Sequence, residues 1–379
     1  MKKALIYASV ASMIQQFNMN NIAILQSLGY KVDVACNMQH GSTISNEKIE
    51  EMKNVLREMG VEVYHMPIPR KLSAISDIMK SIQLTKKLMN REQYQIVHCH
   101  SPIGSIICRF AYRISKIYKK AKMIYTAHGF HFFKGAPRIN WMLFYPVERF
   151  FSRYTDTLIT MNQEDLDLAN RKMKAKKVEY IPGIGIELNR FQTISVNTVA
   201  KRMELAVPEE AKILLSVGEL NQNKNHQIVI KAIAELQDPQ IYYLIAGQGE
   251  KKDELLSLAK QLGVEKQVRL LGYRGDINEL CKTADLFVFP SYREGLSVAV
   301  MEAMASGLPC AVSEIRGNTD LIDEQGGALF DPASEKSCAE VIKKMLQQDL
   351  PSKGQYNMQK IQNFSSDTVN LQMKRIYVE

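Results

Sequence analysis

The stretch Ala284-Asp-Leu-Phe-Val-Phe-Pro-Ser-Tyr-Arg-Glu-Gly-Leu-Ser-Val-Ala-Val-Met-Glu-Ala-Met-Ala-Ser-Gly-Leu-Pro309 reads as strand, loop and helix in turn. Residues 284–290 are a short apolar run closed by a proline, and 298–306 has helical composition ending at Gly307-Leu308-Pro309. Glu294 therefore falls in the loop and Glu302 on the helix. The amides at the start of that helix, around Gly295, Leu296, Ser297 and Val298, lack intrahelical partners and carry the positive end of the dipole, so they can hold a phosphate. Two carboxylates beside a phosphate would repel it. They make sense as acceptors for uncharged hydroxyls flanking the phosphates, one set on a ribose and the other on a sugar.

Working outward, the same alternation fills the chain. Strands are expected at 3–8, 32–36, 61–65, 96–99, 123–126, 157–160 and 178–181, then at 213–217, 242–246, 268–271, 286–289 and 310–313, with helical segments between them. One of these segments is a single helix running through Leu28. Alternating strand and helix predicts parallel sheets covered on both faces, and two such series predict two doubly wound α/β domains. The turn residues Pro182-Gly183-Ile184-Gly185 place the linker around 182–190, dividing the chain into 1–185 and 186–364.

The paired glutamates, with Met301-Glu-Ala-Met-Ala-Ser-Gly-Leu-Pro309 after them, resemble the retaining GT-B glycosyltransferases of family 4. The likeness extends through Ser216-Val-Gly-Glu-Leu-Asn-Gln-Asn-Lys-Asn-His226, Ala246-Gly-Gln-Gly249, Leu271-Gly-Tyr-Arg274, Arg316-Gly-Asn-Thr-Asp320 and Tyr125-Thr-Ala-His-Gly-Phe-His131. It implies two Rossmann-like domains facing a central cleft, with the acceptor on 1–185, the nucleotide-sugar donor on 186–364, and the segment 365–379 packing back on the first domain. It implies sugar transfer from a nucleotide donor, UDP foremost, with retention and without a protein nucleophile. The acceptor hydroxyl attacks on the face that the leaving diphosphate vacates. In this reading Lys224 and the helix amides stabilise the diphosphate, Glu294 orients the sugar, Glu302 binds the ribose and His128 closes over the sugar. Gly218 and Gly247 belong to turns near the nucleotide, and Tyr273 and Arg274 lie where the base is gripped. Glu219 stands where the family has an arginine, so some diphosphate charge must be met elsewhere, with Arg293 and Arg316 as candidates. The first loop lacks the family's glycines, which leaves Ser9, Ser12 and Gln16, with His131, to serve the acceptor through side chains. No metal or cofactor is implied. The nearest members build capsule, exopolysaccharide or O-antigen units on a polyprenyl-diphosphate carrier. Two alternatives stay open: a GT-B-type UDP-sugar 2-epimerase, and a non-catalytic membrane- or polyanion-binding protein.

Composition bounds these readings. The 379 residues suffice for two cores, and no apolar run approaches the roughly 20 residues that cross a bilayer. Six scattered cysteines without Cys-x-x-Cys pairing point to a reducing, cytoplasmic address. Residues 1–185 carry 27 Lys and Arg against 14 Asp and Glu, and the remainder 22 against 26, so the whole basic excess lies in the first domain. No acid occurs between Glu92 and Glu148, whereas Arg109, Arg113, Lys116, Lys119, Lys120, Lys122, Lys134 and Arg138 do. With Ile107, Phe110, Ile114 and Ile117 at helical spacing, that stretch reads either as a helix on an anionic membrane, at the inner face of the plasma membrane, or as a core helix with a solvated basic face. No nucleic-acid motif accompanies the charge. The aromatic run from Trp141 to Phe151 favours core over lipid contact. His98 and His100 share one strand face without a third ligand, which favours packing over metal binding. Gly247-Gln-Gly249 lacks the third glycine of a dinucleotide fingerprint, and Asp165-Leu-Asp167 reads as solvated surface.

Overall fold

The computed structural model describes residues 1–39, 44–69 and 74–379. The chain forms two compact units, Met1–Ile184 with Val369–Glu379 and Gly185–Thr368. Unit 1 holds β1 (Lys2–Val10), β2 (Tyr30–Asn37), β3 (Glu62–His65), β4 (Ile96–His100), β5 (Lys122–Ala127), β6 (Thr157–Thr160) and β7 (Lys177–Tyr180) in the order β3-β2-β1-β4-β5-β6-β7. Unit 2 holds β8 (Lys212–Val217), β9 (Ile241–Ala246), β10 (Val268–Gly272), β11 (Leu286–Phe289), β12 (Cys310–Ser313) and β13 (Gly327–Phe330) in the order β10-β9-β8-β11-β12-β13. All pairings between these strands are parallel. Parallel strands are buried on both faces, which is why they read as near-continuous apolar runs. The strand order reverses between β1 and β4 in unit 1 and between β8 and β11 in unit 2. An open parallel sheet receives ligands outside the carboxyl ends of its strands at such a reversal.

In unit 1 the helices Ile75–Glu92, Pro102–Arg113 and Arg138–Ser152 cover one face, packing Leu88, Met89, Ile107 and Cys108 against Val97 and Tyr125. The other face lies under Asn46–Glu58, the first two helices and Ser366–Val378, through Ile14, Ile22, Leu25, Met373 and Ile376.

The structure departs from the sequence reading in five places. The single helix expected through Leu28 is two, Ala11–Phe17 and Met19–Ser27, broken at buried Asn18, whose Nδ2 donates to the Met13 carbonyl at 2.8 Å. β13 was not anticipated. It opens on Gly327, where a Cβ would lie 1.9 Å from the Cys310 carbonyl oxygen, so side-chain propensity could not announce it. The stripe from Ile107 to Ile117 is not one helix, because the helix closes at Arg113 and Ile117 is buried in the turn that follows. Arg109 is not a surface cation. It is fully buried, donates to Glu148 Oε2 at 2.8 Å and lies 4.2 Å from the Tyr125 ring centroid. Asp165 is likewise not solvated: fully buried, it accepts from the Phe130 amide at 3.0 Å and from Asn162 Nδ2 at 2.9 Å.

Candidate active site

In unit 2 the loops after β8 and β11, the two strands at the reversal, are laced together. Tyr292 N donates to the Asn223 carbonyl at 2.8 Å, and Asn223 Nδ2 to the Arg293 carbonyl at 3.0 Å. These bonds bring together two side chains 70 positions apart: Lys224 Nζ lies 2.8 Å from Glu294 Oε1, with the ammonium 4.7 Å from the Phe289 ring centroid. Both are about one-fifth exposed, so the pair faces the strand ends without being sealed in.

Glycines let the neighbouring loops close on this pair. A Cβ on Gly247 would lie 1.8 Å from the Gly218 carbonyl oxygen, and one on Gly317, at φ +80°, 1.6 Å from the Gly295 carbonyl oxygen. The loops after β9 and β12 thus touch those after β8 and β11 backbone to backbone. Next in line is the helix Val298–Ala305, capped by Ser297, which accepts from the Val300 amide at 3.4 Å. Its first turn carries no acid. An anion at this end meets the dipole's positive pole with Lys224 beside it. Glu302 sits one turn on, half-buried, and burial raises its carboxyl above the ordinary range against the opposing pull of Arg190.

Other expected donor-side residues fall differently. Glu219 is exposed and accepts from Asn221 Nδ2 at 2.9 Å. Arg293 is exposed on the loop, Arg316 half-buried after β12, and Tyr273 is 80 % exposed. Arg274, expected at a nucleotide base, is instead committed to Asp276 at 2.7 Å and Glu204 at 2.6 Å, beside Lys201. The Arg274 guanidinium, with the Lys201 ammonium, holds the Asp276 carboxyl well below the usual range, and the cluster ties the helices Thr198–Glu204 and Ile277–Thr283.

At the reversal of unit 1 lies an open hollow of about 150 Å³. Gln15 and Gln16 from the first helix, Asn20 and Asn21 from the second, Asn370 from the last helix, and Thr126, His100 and His128 from the strand ends line it. Its wall carries five carboxamides and no charged side chain among the described residues. His128 rests edge-on to Phe17, 4.9 Å between centroids, on the loop that buried Asp165 pins at Phe130. Behind it His100 Nδ1 lies 3.1 Å from His128 Nε2. His98, its ring tilted against His100 with centroids 4.1 Å apart, is held at 2.7 Å by the Tyr377 hydroxyl and at 2.8 Å by Thr126 Oγ1. Burial pushes His98 down to about 3 and His128 to about 4, and holds His100 well below the ordinary imidazole value, so all three rings are neutral at pH 7.

Of the residues expected on the acceptor side, only Gln16 lines this hollow. Ser9 is spent on structure: its hydroxyl accepts from Ser101 Oγ at 2.7 Å and from the Gly104 amide at 3.0 Å, clipping β1 to the helix Pro102–Arg113. Ser12 is buried in the first helix. His131 lies against Phe144 in a separate apolar hollow beside Ile103 and Leu143. Gln15, Asn20 and Asn21 were missed, although the run Gln15-Gln-Phe-Asn-Met-Asn-Asn21 carries five carboxamides in seven residues, a usable signal.

Two Rossmann-like parallel sheets of this topology are those of the GT-B class. The family model described as "Glycosyl transferase 4-like" matches residues 8–162, and that described as "Glycosyl transferases group 1" matches 198–362. EpsD of Bacillus subtilis, to which glycosyl transfer is ascribed, is 34 % identical over 349 residues, 91 % of this chain and 87 % of that one. The UDP-Gal:α-D-GlcNAc-diphosphoundecaprenol α-1,3-galactosyltransferase of Escherichia coli is 30 % identical over 273 residues, 70 % and 69 % of the two chains. The crystal structure of Anabaena HepE in complex with UDP superposes with TM-score 0.76 at 19 % identity, each chain fully covered, a likeness of fold. The chain belongs to the family 4-like, group 1 glycosyltransferases, and it is a glycosyltransferase of the hexosyltransferase class, related to bacterial enzymes of polysaccharide synthesis.

Proposed function

We propose that the protein transfers a sugar, with retention of configuration, from a UDP-sugar held on unit 2 to a polyprenyl-diphosphate-linked glycan held on unit 1. The Lys224–Glu294 pair at the strand-order reversal, beside the start of the helix Val298–Ala305, carries this reading. In the free protein the two charges satisfy one another. A bound donor gives each a better partner: the diphosphate for Lys224 and the sugar hydroxyls for Glu294. The developing negative charge on the leaving diphosphate is then met by Lys224 and the helix amides in a fixed arrangement, which is where electrostatic catalysis is strongest. The exposed Arg293 supplies the charge that Glu219 does not. Glu302 binds the ribose, and Gly218 and Gly247 let the backbone close on the nucleotide. His128 bonds a hydroxyl in the unit 1 hollow. The named activity of the Escherichia coli relative, which uses UDP-Gal and a diphosphoundecaprenol-linked GlcNAc, supports both substrate classes.

The acceptor lives in a membrane, and one feature favours peripheral contact there. The helix Arg138–Ser152 packs Trp141, Phe144 and Tyr145 on the core but leaves Ile139, Met142, Leu143 and Phe150 between 44 % and 72 % exposed, with Lys134, Arg138 and Arg153 also exposed. An apolar ridge among cations suits an anionic bilayer surface.

The test is Glu294→Gln. UDP should raise the unfolding temperature of both proteins, since Lys224 and the amides remain, while transfer falls by roughly 10²-fold or more in the variant. Undiminished transfer in the variant would remove Glu294 from the site, and stabilisation by GDP or ADP alone would overturn the UDP assignment.

A further inference from the structure

His100 and His128 form a hydrogen-bonded pair of neutral imidazoles, and one buried atom decides how its proton lies. His100 is 1 % exposed, its Nδ1 faces His128 Nε2 at 3.1 Å, and its Nε2 is buried with no partner among the described residues. A neutral imidazole carries one proton. If His128 donates into the N···N bond, the His100 proton must sit on Nε2, leaving a buried N–H without an acceptor. If His100 donates, its Nε2 is a bare lone pair. Orphaned buried N–H groups are rarer than under-satisfied acceptors, so the second arrangement is favoured. His128 then accepts at Nε2 and carries its own proton on Nδ1, for which no partner occurs among the described residues.

We infer that His100 is a positioning residue that fixes His128 as an Nδ1–H donor toward the occupant of the hollow, so that His128 offers a hydrogen bond and not a base. This rests on the reading above that the hollow receives a sugar. With five carboxamides set in an otherwise largely apolar wall and no charged side chain among the described residues, the hollow suits an uncharged sugar whose hydroxyl or acetamido oxygen accepts from His128. A charged sugar would find no counter-ion among the described residues of its wall.

The test has two parts. In the full chain labelled with [15N]histidine, long-range 1H–15N correlation at pH 7 reads which nitrogen of His128 is protonated, the signal being assigned by its loss in His128→Gln. The expected result is a protonated Nδ1 and a bare Nε2; a protonated Nε2 overturns the inference. Kinetically, His100→Asn keeps an amide donor near the position of Nδ1–H and should hold kcat/KM within about tenfold, whereas His100→Leu should lose about 100-fold. Equal losses in the two variants would mean that His100 only fills space. Absence of transfer by the unmodified chain would count against the proposed function, while the 15N spectrum would still decide the tautomer.

Discussion

The charges that matter most to unit 1 are ones it has put away. His98 and His128 take a proton near 6.5 when unfolded but only near 3 and 4 when folded. Between those values the unfolded chain binds more protons, so their contribution is complete above about pH 6.5 and drains as pH falls toward 4. By pH 5 each costs on the order of 2 kcal/mol. We expect the unfolding temperature to fall between pH 7 and pH 5, and the fall to be shallower in His98→Asn, even though that variant is less stable at pH 7. Calorimetry at three pH values checks this, and an unchanged slope would remove His98 from the account. At this scale the sequence was least legible. Ser9 offers a hydroxyl to any reader, but its partners Ser101 and Gly104 are more than 90 positions away. Arg109 and Asp165 look like surface charges until Glu148 and the Phe130 amide are brought to them by the fold. A buried ion pair leaves no local pattern. The partner of Arg274 was hidden for the same reason, since Glu204 lies 70 positions upstream.

Elements were far more legible, because a strand buried on both faces must be an apolar run and a strand-to-helix turn must carry turn residues. All twelve expected strands needed only end adjustments or none to match: 61–65 begins one residue later at Glu62–His65, and 178–181 slides by one to Lys177–Tyr180. β13 escaped because Gly326-Gly327 carries close contacts and not propensity. The same close contacts make a prediction. In Gly247→Ala the new Cβ would meet the Gly218 carbonyl oxygen at 1.8 Å, which forces apart this loop and the one carrying Lys224. The variant should lose the stabilisation that UDP confers on the parent, with a destabilisation of about 1–3 kcal/mol. Retained UDP stabilisation would show that the two loops need not touch. The helix Arg138–Ser152 makes another. Met142→Asp with Leu143→Asp places charge on an exposed ridge, so folding should be spared while sedimentation with phosphatidylglycerol vesicles falls several-fold. Equal binding by parent and variant would place membrane contact elsewhere.

For the whole molecule, unit 1 is completed by the last eleven residues of the chain, Val369–Glu379. Val369, Met373, Ile376 and Tyr377 belong to its core, and Tyr377 also holds His98. Burying four such side chains is worth roughly 6–10 kcal/mol, comparable to the stability of a domain. A chain ending at Thr368 should therefore keep a folded unit 2 and lose the cooperative unfolding of unit 1, which calorimetry would show as the loss of one transition. Two intact transitions would contradict this division of the core.

The claim that joins these scales is retaining transfer from a UDP-sugar, and the product's anomeric configuration tests it most directly. The protein would be incubated with α-linked UDP-sugars and a GlcNAc-diphosphoundecaprenol acceptor, and the new linkage read by NMR. The account predicts an α-linked product and free UDP, formed only when acceptor is present and lost in Glu294→Gln. A β-linked product, or epimerised UDP-sugar formed without acceptor, would contradict it.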